Sequence, residues 1–349
     1  MMEKVIRVGL AGFGFSGRIF QAPFLKVNPH FELRKVYERT KNLSQEEYPE
    51  VTVVRSFEEL LTDDIDLVII STPNGLHVQQ ARQCILAGKP VVSEKPAAAT
   101  SQEVQELCAL AKEKGVLYTV YQNRRLDSDF LTVKRLIEDG SLGEVVDYEA
   151  HYDRFVRGNA KKAWKMTAEK GYDVVYDLGV HVLDQAYTLF GMPKEVYADF
   201  RSQRPESLGV DNFQIILYYE KLRAILSAGE LVARQGPHFM VNGTKATFIK
   251  YGEDTQERQL LSGLRPVSYD HWGEDAPENY GRLYVDNGTG IDEVIVPTVP
   301  STYSRYYDNI YAVMTQGAEL AVKPEQAADV LRIIEAAQES AVKKCRIAL

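Results

Sequence analysis

Val5-Ile6-Arg7-Val8-Gly9-Leu10-Ala11-Gly12-Phe13-Gly14-Phe15-Ser16-Gly17 is the stretch that decides the fold. An apolar, β-branched run leads straight into glycines spaced i, i+2 and i+5, and a helical pattern follows from Ser16 to Val27. Strand, glycine turn and helix in that order open a dinucleotide-binding unit. Gly12 permits the tight turn, Gly14 lets the backbone approach a pyrophosphate, and Gly17 lets the helix pack close. Phe15 and Ser16 lie in the same loop, where N–H groups at the helix start face an anion. Pro23 falls inside the helical pattern and predicts a short first helix with a bend.

Outward from this loop, short β-branched runs alternate with amphipathic segments as far as residue 121. Leu33 to Tyr37, Leu67 to Ile70, Val91 to Ser93 and Leu117 to Tyr121 read as further strands, and Leu76 to Ala87 and Ser101 to Lys114 as helices. Thr100-Ser101-Gln102-Glu103 is a capping box, and Gly115 is placed to end its helix. The alternation predicts an α/β fold with a doubly wound parallel Rossmann sheet over residues 1–123. Residues 124–349 carry longer extended runs, among them Val145 to Tyr152, Glu195 to Arg201 and Phe213 to Tyr219. Asn242-Gly243 signals a hairpin between two more strands, and helical patterns surround Asp177 to Phe190 and Pro324 to Val342. This half is expected to be an α+β substrate-binding and oligomerisation domain with a largely antiparallel open sheet.

Bulk properties narrow the function classes. A chain of 349 residues with 45% apolar and 26% charged residues suits two globular domains. Its net charge of −8 offers no basic excess for nucleic acid. The three scattered cysteines suggest neither a disulfide framework nor a zinc site. No apolar run reaches the ~20 residues of a membrane helix, and no secretory leader is read at the start, so the expected location is cytoplasmic.

Further residues gather at predicted strand ends. Glu38 ends the second strand, where an acidic side chain can bond an adenosine ribose and repel a 2′-phosphate. Arg39 follows and pulls the other way, because a guanidinium can stack on adenine or pair with that phosphate. The balance leaves NAD or NADP open, with a slight lean to NAD from Glu38. Asp177 and His181 stand i and i+4 and share a helix face if the helix begins by Asp177. An imidazole titrates near neutrality, which suits a proton-transfer role. Asp184 is read as structural, and no metal site is expected.

Taken together, the motifs resemble the Gfo/Idh/MocA family, the glucose-fructose oxidoreductase and inositol dehydrogenase group, in its scyllo-inositol dehydrogenase-like branch. The likeness rests on the glycine loop with Ala22-Pro23-Phe24-Leu25, Thr72-Pro73-Asn74-Gly75-Leu76-His77, Glu94-Lys95-Pro96, Tyr121-Gln122-Asn123-Arg124-Arg125 and Tyr176-Asp177-Leu178-Gly179-Val180-His181. His271-Trp272-Gly273 and Ile333-Ile334-Glu335-Ala336-Ala337 extend it into the tail. The resemblance implies that Lys95 lies beside the nicotinamide and relays a proton, that His181 is the general base, and that Asp177 orients the hydroxyl or the base. Pro96 is often cis in the family. Thr72, Pro73, Asn74 and His77 after the fourth strand, and Glu94, are expected along the cofactor, with capping of the next helix the other reading of His77. Asn123, Arg125, Tyr152 and Arg154 near the domain junction offer donors to a hydroxyl-rich ring, or pair at the surface with Asp127, Asp129 or Asp153. Two departures stand out. Glu169-Lys170-Gly171-Tyr172-Asp173-Val174-Val175 replaces a glycine-rich run, and Glu38 replaces a small polar residue of NADP-dependent relatives.

The expected activity is NAD(P)-dependent hydride transfer from a secondary alcohol of a cyclic polyol or sugar. Two alternatives are a nicotinamide-binding sensor without turnover and an enzyme that cleaves glycosides through transient redox use of NAD. A small-molecule substrate and a homo-oligomer, dimer or tetramer, are the expected partners, with no nucleic acid and no membrane.

Overall fold

The structure is a computed structural model that describes residues 4–156, 170–204, 207–266 and 271–349. It divides into two compact units, the first formed by Met1–Asn123, Gln256–Trp272 and Thr302–Ala328, the second by Arg124–Thr255, Gly273–Ser301 and Asp329–Leu349.

The first unit is built on a six-stranded parallel sheet of β1 (Ile6–Ala11), β2 (Phe31–Tyr37), β3 (Thr52–Val54), β4 (Leu67–Ile70), β5 (Val91–Ser93) and β6 (Tyr118–Val120), in the order β3-β2-β1-β4-β5-β6. Ile6, Val8, Leu10, Val36, Val68, Ile69, Val91 and Val92 are fully buried, as strands covered on both faces must be. The order reverses between β1 and β4, so ligands are expected in the crevice beyond the carboxyl ends there. Pro23 divides the first helix as expected. Gly17–Gln21 forms one wide π-type turn and Ala22–Val27 continues as α1. Proline has no N–H to return to the preceding turn, so the coil widens before it. Next come α2 (Leu43–Glu47), α3 (His77–Leu86) and α4 (Ser101–Lys114), the last with both halves of its capping box formed and Gly115 in the left-handed region.

The second unit opens with α5 (Ser128–Glu138) and β7 (Val145–His151). A π-type turn at Val175–Gly179 then runs into α6 (Val180–Phe190). The sheet continues through β8 (Glu195–Arg201), β9 (Asn212–Tyr218), β10 (Arg223–Gly229), β11 (Phe239–Gly243), β12 (Ala246–Lys250), β13 (Gly281–Asp286), β14 (Ile291–Val296) and β15 (Ile347–Ala348). Its order is β14-β13-β12-β11-β7-β10-β9-β8-β15, antiparallel except for the parallel β7–β10 pair. The hairpin at Asn242-Gly243 exists, but its turn falls two residues later, because Asn242 pairs with Thr247 and Gly243 belongs to β11. A Cβ on Gly243 would stand 2.0 Å from the Leu142 carbonyl oxygen. That glycine is therefore required by close approach of the backbone turn between α5 and β7, not by the hairpin turn.

Two segments distant in sequence join the first unit. The one containing α7 (Gln256–Leu261) runs to Trp272, whose indole N–H donates to Gln256 Oε1 and whose ring meets Phe24 edge-on at 6.1 Å. The other carries α8 (Ser304–Gln316), whose Tyr306 hydroxyl donates to the Val120 carbonyl at the end of β6. The helix predicted near Pro324 is α9 (Pro324–Lys343).

Candidate functional site

In the first unit the three loop glycines meet three different demands. Gly12 adopts φ +97°, and a Cβ there would lie 2.8 Å from the Ser71 carbonyl oxygen. A Cβ on Gly17 would lie 2.2 Å from the Gly12 oxygen, so the helix start is packed against the turn. Around Gly14 nothing lies within 4 Å of the Cβ position. Tightness at both ends and space in the middle are what a pyrophosphate needs of this loop, and the chain fits a dinucleotide. Phe15 is exposed beside it, edge-on to Phe20 at 5.8 Å.

Residues at the carboxyl ends of neighbouring strands surround the loop. After β4, Thr72 donates its hydroxyl to Gln80 Oε1 at 2.6 Å, and Pro73 leads into a 3₁₀ turn at Asn74–Leu76. His77 is buried with its ring nitrogens 2.8 Å from the carbonyls of Thr72 and Pro96, so it ties this loop to the turn after β5. Burial lowers its pKa and favours the neutral ring, which donates to only one of the two oxygens. After β5 come Glu94, half-buried Lys95 and a cis Lys95-Pro96 bond. Glu94 Oε1 accepts from the Ser16 hydroxyl and, at 2.6 Å, from Gln21 Nε2, while Oε2 accepts from the Lys95 N–H at 3.1 Å. After β2, Glu38 turns inward. Its carboxylate accepts from the Ser44 N–H at 2.8 Å, the Ser44 hydroxyl at 2.6 Å and the Leu43 N–H at 3.2 Å, which caps α2. Arg39, Thr40 and Lys41 beside it are exposed. Asn123 is buried at the end of the unit's first segment.

In the second unit, Asp177 lies in the wide turn and His181 one turn on in α6, half-exposed and buried respectively. The turn is started by Asp173, whose Oδ1 accepts from the N–H groups of Val175 at 2.8 Å and Tyr176 at 3.4 Å. Asp173 sits at φ +97°, a region that favours glycine, and burial pushes its carboxyl up to about 7 with the charge of Asp177 adding to the effect. No sequence motif singles out Asp173 by itself. The only signal was its place in the run that replaces the glycines, of which Glu169 lies outside the described residues. The Tyr152 ring centroid is 6.2 Å from that of His181, with the guanidinium carbons of Arg154 and Arg124 4.8 and 5.7 Å from the tyrosine ring. The Tyr152 hydroxyl is buried and meets no hydrogen-bond partner among the described residues. Arg154 is paired with Glu253, and Arg125 makes a buried two-pronged pair with Asp184 at 2.7 and 2.6 Å. Among the described residues no three His, Cys, Asp or Glu side chains are grouped to hold a metal. Nor, among them, is any helix long and apolar enough to cross a membrane.

Sheet order and glycine cradle define a Rossmann-type dinucleotide-binding protein. Comparison with known proteins gives the narrower class. Residues 6–122 match the family model for the NAD-binding Rossmann fold of the Gfo/Idh/MocA oxidoreductases, and residues 134–349 match that family's C-terminal alpha/beta domain. The chain belongs to the Gfo/Idh/MocA family and is an NAD(P)-dependent oxidoreductase. It is 42% identical over 345 residues to the scyllo-inositol 2-dehydrogenase (NADP(+)) IolW of Bacillus subtilis, covering 99% of this chain and 96% of that one. It is 37% identical over the full length of both chains to the uncharacterized oxidoreductase YdgJ of Escherichia coli. The solved structure of YvaA from Bacillus subtilis superimposes with a TM-score of 0.96 at 41% identity, covering 100% of this chain and 99% of the other.

Proposed function

We propose that this oxidoreductase dehydrogenates a secondary alcohol of a cyclic polyol of the inositol type, or of a sugar, and takes NADP in preference to NAD. Hydride removal needs a group to receive the hydroxyl proton and a group to hold developing negative charge. Lys95 is assigned the second task and the relay of the proton. The observation that carries this is its place after β5, beside the strand-order reversal, on a turn fixed by Glu94. His181 is assigned as the base and Asp177 as its partner or as a ligand of the hydroxyl. Tyr152, with its buried hydroxyl, is assigned to the substrate ring. When bound, the nicotinamide accepts the hydride. Gly12, Gly14, Phe15, Ser16 and Gly17 are assigned to the phosphates, and Thr72, Pro73, Asn74, His77 and Glu94 to the nicotinamide half.

The preference for NADP reverses the slight lean to NAD drawn from Glu38. That lean supposed a carboxylate pointing at the ribose, whereas the carboxylate caps α2 through Ser44 and Leu43. Arg39 and Lys41 are then the charged side chains exposed beside it, and a guanidinium suits a phosphate. The name of the Bacillus subtilis relative, an NADP(+) enzyme acting on scyllo-inositol, supports both parts of the proposal. The test follows reduced-nicotinamide absorbance with NAD and NADP supplied separately against myo-inositol, scyllo-inositol, glucose and xylose, with chelator present. Turnover of an inositol with NADP, undiminished by chelator, is expected. Turnover with NAD alone would overturn the cofactor assignment, and silence across the panel with cofactor binding intact would overturn the substrate class.

A further inference from the structure

A buried polar chain in the first unit ends at Glu94 and has no counterpart in the roles assigned so far. The Tyr307 hydroxyl, on α8, donates to Gln21 Oε1. Gln21 Nε2 donates to Glu94 Oε1 at 2.6 Å, and the Ser16 hydroxyl donates to the same oxygen. The second oxygen of Glu94 receives the Lys95 N–H at 3.1 Å. Gln21 and Tyr307 are 0% exposed and Glu94 is 7% exposed. The partners fix the orientation of the Gln21 amide, because a carboxylate must receive its NH₂ and a phenol O–H must meet its oxygen. Each group gives up hydration to lie there, and packing alone is met more cheaply by apolar side chains of similar volume. The chain also joins parts that sequence keeps apart: the glycine loop, the end of the wide turn before Pro23, the lysine turn after β5, and α8.

We propose that Gln21 and Tyr307 are positioning residues that act through Glu94, holding its carboxylate between Ser16 and the Lys95 main chain so that the dinucleotide loop and the lysine turn are fixed as one body before cofactor arrives. The inference rests on the assignment of Lys95 to the reacting alcohol for its effect on turnover, but not for its effect on cofactor binding. Without Gln21, the Glu94 carboxylate loses a donor next to a loop that must accept an anion, and the loop regains freedom that binding must remove.

The test is a double-mutant cycle on the dissociation constant of reduced NADP, read by nicotinamide fluorescence with no substrate present. Gln21→Met is expected to weaken binding at least about fivefold, the scale of one charge-assisted hydrogen bond. Glu94→Ala weakens binding by itself, and adding Gln21→Met to it changes the constant by less than about twofold if the glutamine acts through the carboxylate. A purely structural role gives effects that multiply in the double variant, and that result overturns the proposal. If Gln21→Met does not fold, Tyr307→Phe removes one hydroxyl and carries the same cycle, with a smaller loss expected. Unchanged affinity in whichever of these variants folds also overturns it. Because no substrate is used, a wrong polyol assignment shows up as absent turnover while this cycle still reads out.

Discussion

Lys95 and His181 differ from the other lysines and histidines of the chain in placement, not in type. Lys95 follows an apolar strand that ends in a carboxylate-braced turn, and His181 is buried one turn after Asp177. If both take part in proton transfer, Lys95→Ala and His181→Ala each lower kcat by about 10²-fold or more, with reduced-cofactor affinity nearly unchanged. Steady-state kinetics beside a fluorescence titration separates the two effects, and near-normal turnover in either variant removes that residue from the mechanism. Arg125 is a contrasting case. It entered as a donor to substrate hydroxyls, and one edge of its guanidinium, Nε and Nη2, meets Asp184 in the interior. Deleting one partner of a buried pair leaves an uncompensated charge, so Arg125→Ala is expected to cost about 3–5 kcal/mol of stability. Denaturant unfolding checks this, and a variant of normal stability with a raised KM would restore the substrate role.

The glycine loop makes separable predictions at the level of an element. Gly14→Ala introduces a methyl group into open space and should leave the melting temperature nearly unchanged while weakening cofactor binding. Gly17→Ala drives a methyl group into the Gly12 carbonyl and should cost about 1–3 kcal/mol, the range of overpacking. Thermal melts with and without cofactor distinguish the two, and equal melting losses would sink the assignment of different roles. A second element-scale prediction concerns Asp129 on α5 and His238 just before β11, buried with Oδ2 and Nε2 3.5 Å apart. Burial, with Asp254 adding, pushes Asp129 up to about 7, and burial brings His238 down to about 4. Unfolded values are ~3.9 and ~6.5. Between pH ~4 and ~6.5 the folded chain holds a proton on Asp129 that the unfolded chain has lost, so that group makes stability fall as pH rises. His238 works in the opposite sense, since there the unfolded chain holds the extra proton. Asp129→Asn removes the falling contribution, so across that window the melting temperature of the variant should rise more steeply with pH, or fall less, than that of the wild type. Parallel profiles contradict the assignment.

On the scale of the whole molecule, the nine-stranded sheet of the second unit buries one face and leaves the other half-covered. Tyr148, Ala150, Leu226, Val241 and Phe248 are buried, while Ile216, Ile225, Met240 and Ile249 on the opposite side are half-exposed. Apolar side chains in such numbers on one open face suit a second copy of the chain, and a dimer or tetramer is expected by sedimentation. Ile225→Lys with Ile249→Lys should dissociate it, and a wild-type monomer would refute the prediction.

What the sequence determined by itself is what short-range chemistry determines. The glycine spacing after an apolar strand, the capping box at Thr100 and the two-residue period of the later strands depend on neighbours in the chain, and each appears at or close to its expected place. Even the division of the first helix followed from Pro23 alone. Tertiary structure decided whatever depends on a distant partner. Gly243 is a glycine because Leu142 approaches it, so the hairpin turn moved to Thr244-Lys245. Glu38 faces Ser44 because α2 starts beside it, and the acidic residue that sequence reads as a ribose ligand became a helix cap. Gln21 meets Tyr307 across 286 residues of chain, and Gln256–Trp272 and Thr302–Ala328 pack with the first unit although they lie far beyond it in sequence. Local propensity carries no record of such contacts, because the energy that fixes a buried hydrogen bond or ion pair exists only once the fold has removed water from both partners.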